Sequence, residues 1–287
     1  MKNHDIWDRY LTFHKAQVSS MDMDPVYPVL REIGSSAEKK SAVWLTFLHV
    51  AYYHMGSALK AWEEHPFPAK LNKSLLKLPC GIERRNHRKP ERLESHINSL
   101  VEISNEYDGL DRWVDAYISG DPRQSWSNLQ VVLTAPWGNG RWAAYKTSEM
   151  LWKVNGYRLQ ATDMGHEYSS GPREGLKLLF PDAPTGNSPE EVQYLDALGD
   201  LLVEKLRSNG AIASVETAET SLCDFHSMIK GRYYTGIDID HMQEQLIEVK
   251  SGLTQKAFLA RKLVLPNQFL GELNGWTGVR KELKNAN

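Results

Sequence analysis

The run AVWLTFLHVAYYHM at residues 42–55 constrains the fold more than any other stretch, because it is apolar on nearly every side of a helix. Such a helix is stable only when other elements cover it all round, so the run predicts a central buried helix. Amphipathic patterns with apolar residues three and four apart occur along the rest of the chain, and the alternation typical of strands is scarce. The sequence therefore predicts a mostly α fold.

The chain length limits the number of domains. With 287 residues, the chain suits one large domain or two small ones. We interpret residues 1–287 as a single helical domain, and two lobes of about residues 1–120 and 121–287 are the alternative.

Composition excludes several classes of protein. No apolar run approaches the roughly 18 residues needed to cross a bilayer, and the start, MKNHDIWDRYLTF, lacks the apolar core of a signal peptide. Two cysteines are too few for a disulfide framework, so we expect a reducing, cytoplasmic setting. A net charge of −2 argues against a protein that coats nucleic acid by bulk charge, although it permits one basic face.

A glycine-rich turn precedes a helical pattern in PWGNGRWAAYKTSEML, residues 136–151. The first amides of a helix have no intrahelical partner, so such a turn can aim backbone N–H groups at an anion. Glycine also lets a phosphate approach the backbone closely. The residues that this turn offers to a DNA phosphate are Gly138, Asn139, Gly140, Arg141 and Lys146.

Three interpretations of this turn stay open. GNGRWA fits the G-x-G-x-x-A pattern of dinucleotide sites, with LQVVLTAP as the strand and Asp163 as the ribose contact. The order helix, tight turn, helix also resembles the helix-hairpin-helix of DNA glycosylases, in which a catalytic aspartate follows the hairpin, and Asp163 stands near that place. The third interpretation is a plain corner between two helices.

A basic segment lies at residues 70–92, KLNKSLLKLPCGIERRNHRKPER, with eight Lys or Arg against two Glu. On a chain of negative net charge, this local excess is typical of a nucleic-acid-binding face, although a solvated basic loop is the alternative. The residues predicted to contact DNA phosphates are Arg84, Arg85, Arg88 and Lys89.

The segment ETSLCDFHSMIKGRYYTGIDIDHM, residues 219–242, concentrates reactive side chains. One cysteine and one histidine, with no C-x-x-C, make a weak zinc signal, so no metal site is assigned. Two cations beside carboxylates and tyrosines suit an anionic leaving group together with an amine or a divalent cation. A polar helix end tied by salt bridges is the alternative. The candidates are Cys223, Asp224, His226, Lys230, Arg232, Tyr233, Tyr234, Asp238 and Asp240.

Three separated stretches resemble the bacteriophage amino acid:DNA transferases, a group related to the α-glutamyl/putrescinyl-thymine pyrophosphorylases. They are DMDPVYPVLREIG with WLTFLHVAYYHMGSA, then PWGNGRWAAYKTSEML, then LCDFHSMIKGRYYTGIDID. The resemblance implies a helix-hairpin-helix, DNA-glycosylase-like fold. It also implies a transferase that acts on double-stranded DNA in the host cytoplasm.

The implied reaction is a step in thymidine hypermodification, which protects viral DNA from host restriction. The amine of a free amino acid, with glycine as the first candidate, displaces phosphate or pyrophosphate from phosphorylated 5-hydroxymethyluracil. The base would be reached by flipping. Under this hypothesis Lys230 and Arg232 neutralise the departing group, and Asp163 or His226 takes the proton of the amine while Asp224 orients the imidazole.

The same hypothesis assigns the substrate contacts. Trp142 or Tyr233 stacks on the uracil, and Tyr234 adds a second hydroxyl. Asp238 and Asp240 hold the incoming amine or a Mg²⁺ ion. The alternatives are a helix-hairpin-helix DNA glycosylase or lyase, a non-catalytic DNA-binding module, and a helical enzyme whose glycine turn binds a soluble nucleotide.

Overall fold

The computed structural model describes residues 3–270, with side chains from residue 6 onward. This part of the chain is helical and contains no strand, so the predicted mostly α fold is confirmed. The helices are α1 (Asn3–Ser20), α2 (Val26–Gly34), α3 (Lys39–Tyr52), α4 (Met55–Glu64), α5 (Pro90–Tyr107), α6 (Leu110–Asp115), α7 (Pro122–Val132), α8 (Arg141–Lys153), α9 (Ser170–Leu179), α10 (Pro189–Ser208), α11 (Val215–Ile229), α12 (Ile237–Glu248) and α13 (Gly252–Val264). Short 3₁₀ turns lie at Leu75–Lys77, Ile82–Arg88 and Asn267–Phe269. None of the described helices is long and apolar enough to cross a membrane.

The central run forms α3, in which eleven residues are buried, as the apolar pattern predicts. The helix ends earlier than the run, because Tyr53 takes a left-handed conformation with φ 46°. His54 then caps α4, and its side chain accepts a hydrogen bond from the Ser57 amide at 3.1 Å. The spacing of Ser35 and Glu38 before the apolar run is typical of a capping box and predicts Ser35 as the N-cap of α3. This prediction is wrong, because Glu38 is the N-cap and makes no side-chain cap bond.

The chain divides into two compact units. Among the described residues, the first unit comprises residues 3–25, 161–240 and 266–270, and the second comprises residues 26–160 and 241–265. The boundary near residue 120 that the sequence suggested for two lobes falls inside the second unit.

The first unit is built on the packing of α9 against α11, with α1 and α10 beside them. Ser188 and Glu191 are spaced as in a capping box before an apolar pattern, and they form the capping box that starts α10. Residues 156–187 are rich in Gly and polar residues, a composition typical of irregular structure, yet α9 forms within them. Gly175 explains how closely α9 approaches α11, because a Cβ at this position would collide with the backbone carbonyl of Leu222.

The second unit packs around α3, which contacts α4, α6 and α8. In this unit α7, the turn at residues 133–140 and α8 form two helices joined by a tight connection. The stretch LQVVLTAP belongs to α7 and the start of that turn, not to a strand. The dinucleotide-site interpretation, which needs a strand there, is therefore wrong.

We expect Gly175→Ala to destabilise the first unit by about 1–3 kcal/mol, because the added methyl group overpacks the α9–α11 contact. Urea unfolding followed by circular dichroism measures the change. Gly120→Ala is the matched control, since a Cβ at Gly120 meets nothing within 4 Å. Equal stability of the two variants would contradict the close approach of α9 and α11.

Candidate functional site

Asp22 fixes the start of α12 within the first unit. Its carboxylate accepts hydrogen bonds from the Gly236 amide at 2.7 Å and from the Asp238 and Ile239 amides at 3.2 Å. The hydroxyl of Tyr233 donates to the same carboxylate. A carboxylate that receives the first amides of a helix stabilises that end of the helix. Asp22 therefore positions Tyr233 and Asp238, two of the predicted site residues.

Gln17 joins this group from α1. Its Nε2 atom donates to Asp224 Oδ2 at 2.7 Å and to the Tyr233 hydroxyl at 3.0 Å. Gln17 is fully buried, and its Oε1 atom accepts no hydrogen bond from the described residues. We call Gln17, Asp22, Asp224, Tyr233 and Asp238 the carboxyl cluster. Sequence analysis missed Gln17 and Asp22, although Asp22 opens the quoted stretch DMDPVYPVLREIG.

Burial and mutual repulsion favour protonation in the carboxyl cluster. Burial raises the pKa of Asp22 to about 8 and the nearby charge of Asp238 adds to the shift, although the hydrogen bonds that Asp22 accepts oppose it. Burial also raises the pKa of Asp224 well above its usual range, and Asp238 and Asp22 raise it further. The cluster is therefore suited to hold a proton or to receive a cationic group.

His226 is grouped with the two predicted cations. Burial lowers the pKa of His226, and the positive charge of Lys230 and, more weakly, of Arg232 lowers it further. Lys230 and Arg232 are both exposed at the end of α11. Asp224 is two positions from His226 on that helix, so the side chains diverge, and Asp224 bonds to Gln17 instead of the imidazole. The structure therefore brings His226, Lys230 and Arg232 together and sets Asp224 apart from them.

Asp238 and Asp240 also diverge, because they are two positions apart in the first turn of α12. Asp240 is buried and accepts a hydrogen bond from the Tyr234 hydroxyl at 2.9 Å. Between residues 3 and 270, no group of three or more His, Cys, Asp or Glu is arranged to hold a metal ion. Asp238 and Asp240 therefore do not form a shared pair of ligands for a Mg²⁺ ion.

Asp163 lies in the segment before α9. Its carboxylate accepts hydrogen bonds from the Thr162 hydroxyl and the Gly165 amide, both at 2.9 Å. The nearby His166, which sequence analysis missed, is buried, and neither ring nitrogen bonds to a described residue. Burial, followed by the charge of Arg173, lowers the pKa of His166 to about 4, so the ring is neutral near pH 7.

The hairpin turn in the second unit is held rigidly at its tip. Gly138 has φ +76°, a conformation that favours glycine. The Trp137 amide donates to the Ser99 hydroxyl at 2.9 Å, and the Trp137 carbonyl bonds to His96 Nδ1 at 2.7 Å. The indole of Trp137 is 45% exposed, so the backbone of the turn is fixed while its aromatic ring faces solvent.

Arg84 connects the basic segment to this turn. It is buried, and its Nη2 atom donates to His87 Nε2 at 2.8 Å and to Asn139 Oδ1 at 3.2 Å. His87 Nδ1 donates to the Ala51 carbonyl at 2.7 Å, which leaves Nε2 as the acceptor for Arg84. Burial lowers the pKa of Arg84 to about 10. Arg84 therefore positions the turn, whereas Arg85, Arg88 and Lys89 are exposed.

The other predicted DNA contacts lie at the start of α8. Gly140 is its N-cap without a side-chain cap bond, and the half-buried Arg141 is its first residue. Lys146 is engaged elsewhere, because its ammonium group pairs with the fully buried Glu149 at 2.7 Å. Lys153 pairs with the same carboxylate at 3.4 Å. Lys146 therefore holds α8 in the second unit and does not present its charge at the turn.

The two predicted stacking residues already contact other rings. The ring of Trp142 meets that of Tyr53 edge-on, with centroids 4.8 Å apart. The ring of Tyr233 meets that of Phe13 edge-on at 5.8 Å. Trp142 is half-buried, so part of its surface stays accessible.

A profile of the amino acid:DNA transferase family matches residues 18–234, which is more than half of the chain. The chain belongs to the amino acid:DNA transferase family. It is accordingly a transferase whose substrate classes are DNA and an amino acid. A comparison with curated proteins finds no match.

The match of this transferase to its family contains most of the predicted site. It includes the hairpin turn, the basic segment, Asp163 and the reactive residues from Asp224 to Tyr234. Asp22 also lies within the matched range, whereas Gln17, Asp238 and Asp240 lie outside it.

We expect the second unit of this transferase to lose stability as the pH falls from about 6.5 towards 4. The buried imidazoles of His49 and His87 have pKa values of about 3 and about 4, both lowered first by burial. Burial also holds the pKa of His96 well below its usual range. In this window the unfolded chain binds protons that the folded chain does not, at up to about 1.4 kcal/mol per pH unit for each group.

Urea unfolding at pH 7, 6 and 5, followed by hydrogen exchange of α3 and α5 amides, tests this expectation within the second unit. The variant His87→Gln should show a shallower pH dependence, and His65→Gln, which changes a half-buried histidine at the end of α4, should keep it. An unchanged pH dependence in His87→Gln would contradict the account of this imidazole.

Proposed function

We propose that this transferase attaches an amino acid, through its amine, to the methyl carbon of phosphorylated 5-hydroxymethyluracil in DNA, with release of phosphate or pyrophosphate. Glycine is the first candidate for the amino acid. The family match supports transfer of an amino acid to DNA. The single observation that supports this chemistry most is the grouping of His226, Lys230 and Arg232 beside one end of α11, in the same unit as a buried carboxyl cluster.

The reaction makes two electrostatic demands. The amine enters as an ammonium ion, which becomes a nucleophile only after a base removes a proton. The departing phosphate gains negative charge in the transition state, and a cation close to it lowers the barrier. Lys230 and Arg232 are suited to the second role because both are exposed and the charge of each acts on His226. Asp163 and His226 are candidates for the first, with Tyr234 as a further substrate contact.

The second unit supplies the DNA contacts in this proposal. The turn with Gly138, Asn139 and Gly140 would receive a phosphate on its backbone amides, and Arg141 would add charge. The order α7, turn, α8 supports a helix-hairpin-helix arrangement of the glycosylase-like type. Such a fold gives access to the base by flipping.

The proposed setting is a bacteriophage infection. The modified DNA would resist host restriction enzymes, and the protein would act in the host cytoplasm on double-stranded DNA.

Nucleoside mass analysis tests the reaction. The protein is incubated with duplex DNA carrying phosphorylated 5-hydroxymethyluracil and all twenty amino acids, and the DNA is digested to nucleosides. The proposal expects a new nucleoside whose mass equals one amino acid joined at the methyl carbon. Loss of the base would indicate a glycosylase, and unchanged nucleosides with salt-sensitive binding would indicate a DNA-binding module. Either result would overturn the proposal.

We expect Lys230→Ala and Arg232→Ala each to lower turnover by about 10²-fold, because each removes a cation from the departing group. DNA affinity, measured by fluorescence anisotropy at fixed salt, should change little. Lys262→Ala is the matched control, since Lys262 is an exposed cation on α13. Unchanged turnover in both test variants would exclude the assigned role.

A further inference from the structure

Gln17 has an unused acceptor inside the carboxyl cluster. It is fully buried, and its Nε2 atom is committed to Asp224 and the Tyr233 hydroxyl. The Oε1 atom of the same amide is buried without a hydrogen bond from residues 6–270. Buried amide oxygens nearly always have a donor, so an orphaned one on an amide that is bonded to Asp224 indicates a missing hydrogen-bond donor beside the carboxyl cluster.

We propose that Gln17 Oε1 and the carboxyl groups of Asp224 and Asp238 form the subsite for the primary ammonium group of the transferred amino acid. This inference rests on the proposed function. It places the amine beside Gln17 and makes Asp224 the general base of the reaction. Asp22 is a positioning residue, because it holds the amides of residues 236–239 and so places Asp238.

The donor set fits an ammonium group better than other ligands. An ammonium group has three hydrogens to donate and no acceptor, and the cluster offers acceptor atoms on Gln17, Asp224 and Asp238. A bound anion is disfavoured, because a further negative charge would add to the repulsion that already raises the pKa of Asp224. Asp224 and Asp238 are half-buried, so the amine would enter from their side.

The buried environment also suits Asp224 to act as a base. A carboxyl whose pKa is raised lies closer to the pKa of an amine, which makes removal of the proton less unfavourable. The ammonium group gives one proton to the Asp224 carboxylate, and its lone pair then forms the N–C bond to the methylene carbon. The C–O bond breaks, and its electron pair leaves on the phosphate oxygen. The proton on Asp224 passes through solvent to the released phosphate, so atoms and charge balance.

Binding of small probes tests the subsite without turnover. Isothermal titration of the full-length protein uses methylamine, glycine and acetate as separate probes. The inference expects methylamine and glycine to bind and acetate not to bind. Asp224→Asn, Asp238→Asn and Gln17→Leu should each weaken methylamine binding at least about tenfold, which corresponds to about 1.4 kcal/mol. Asp200→Asn, at an exposed position on α10, is the matched control.

We expect Asp238→Asn to stay folded, because Asp238 is half-buried and its backbone amide keeps the bond to Asp22. Methylamine that fails to bind, or that binds the folded Asp238→Asn and Asp224→Asn variants as tightly as the wild type, overturns the inference. In steady-state assays Asp238→Asn should raise the KM for the amino acid, and Asp224→Asn should also lower kcat.

The two proposals fail separately. If the wild type modifies the nucleoside but the three variants keep the KM of the wild type for the amino acid, the subsite is wrong and the proposed function stands. If methylamine binds as expected but nucleosides stay unchanged, the subsite stands and the proposed function fails.

Discussion

The hydrogen bonds accepted by the Asp22 carboxylate are the constraint on which the candidate site depends. They join the turn after α1 to Tyr233 and to the first amides of α12. They place Asp238, whose charge raises the pKa of Asp224. A carboxylate used in this way costs burial energy, and the amide and hydroxyl donors offset that cost.

In the second unit, hydrogen bonds fix the turn to which we assign DNA-phosphate binding. Arg84 is buried between His87 and Asn139, and the carbonyl and amide of Trp137 are both bonded. The exposed basic residues of the neighbouring segment then supply charge without having to define the geometry. In the proposed function, this turn and these cations are the contacts with DNA.

Sequence patterns predicted most of the fold, because helices carry periodic signals. The buried run of α3, the capping box of α10 and the glycine turn before α8 are all local features. The early end of α3 could not be predicted, because Tyr53 adopts a left-handed conformation and tyrosine is not a residue type that favours it. The site was predicted only in part for the same reason. Asp22 and Gln17 bond to partners about two hundred positions away, and such long-range hydrogen bonds cannot be inferred from the spacing of residues.

The central claim is that an amine displaces phosphate at the methylene carbon of the base. DNA carrying ¹⁸O in the oxygen that bridges this carbon and phosphorus tests it directly, with ¹⁵N-glycine or the amino acid that the wild type attaches. The account predicts that ¹⁸O leaves with the released phosphate or pyrophosphate and that ¹⁵N appears on the methylene carbon of the nucleoside. Retention of ¹⁸O in the DNA as a hydroxymethyl group would show cleavage of the P–O bond and would contradict the account.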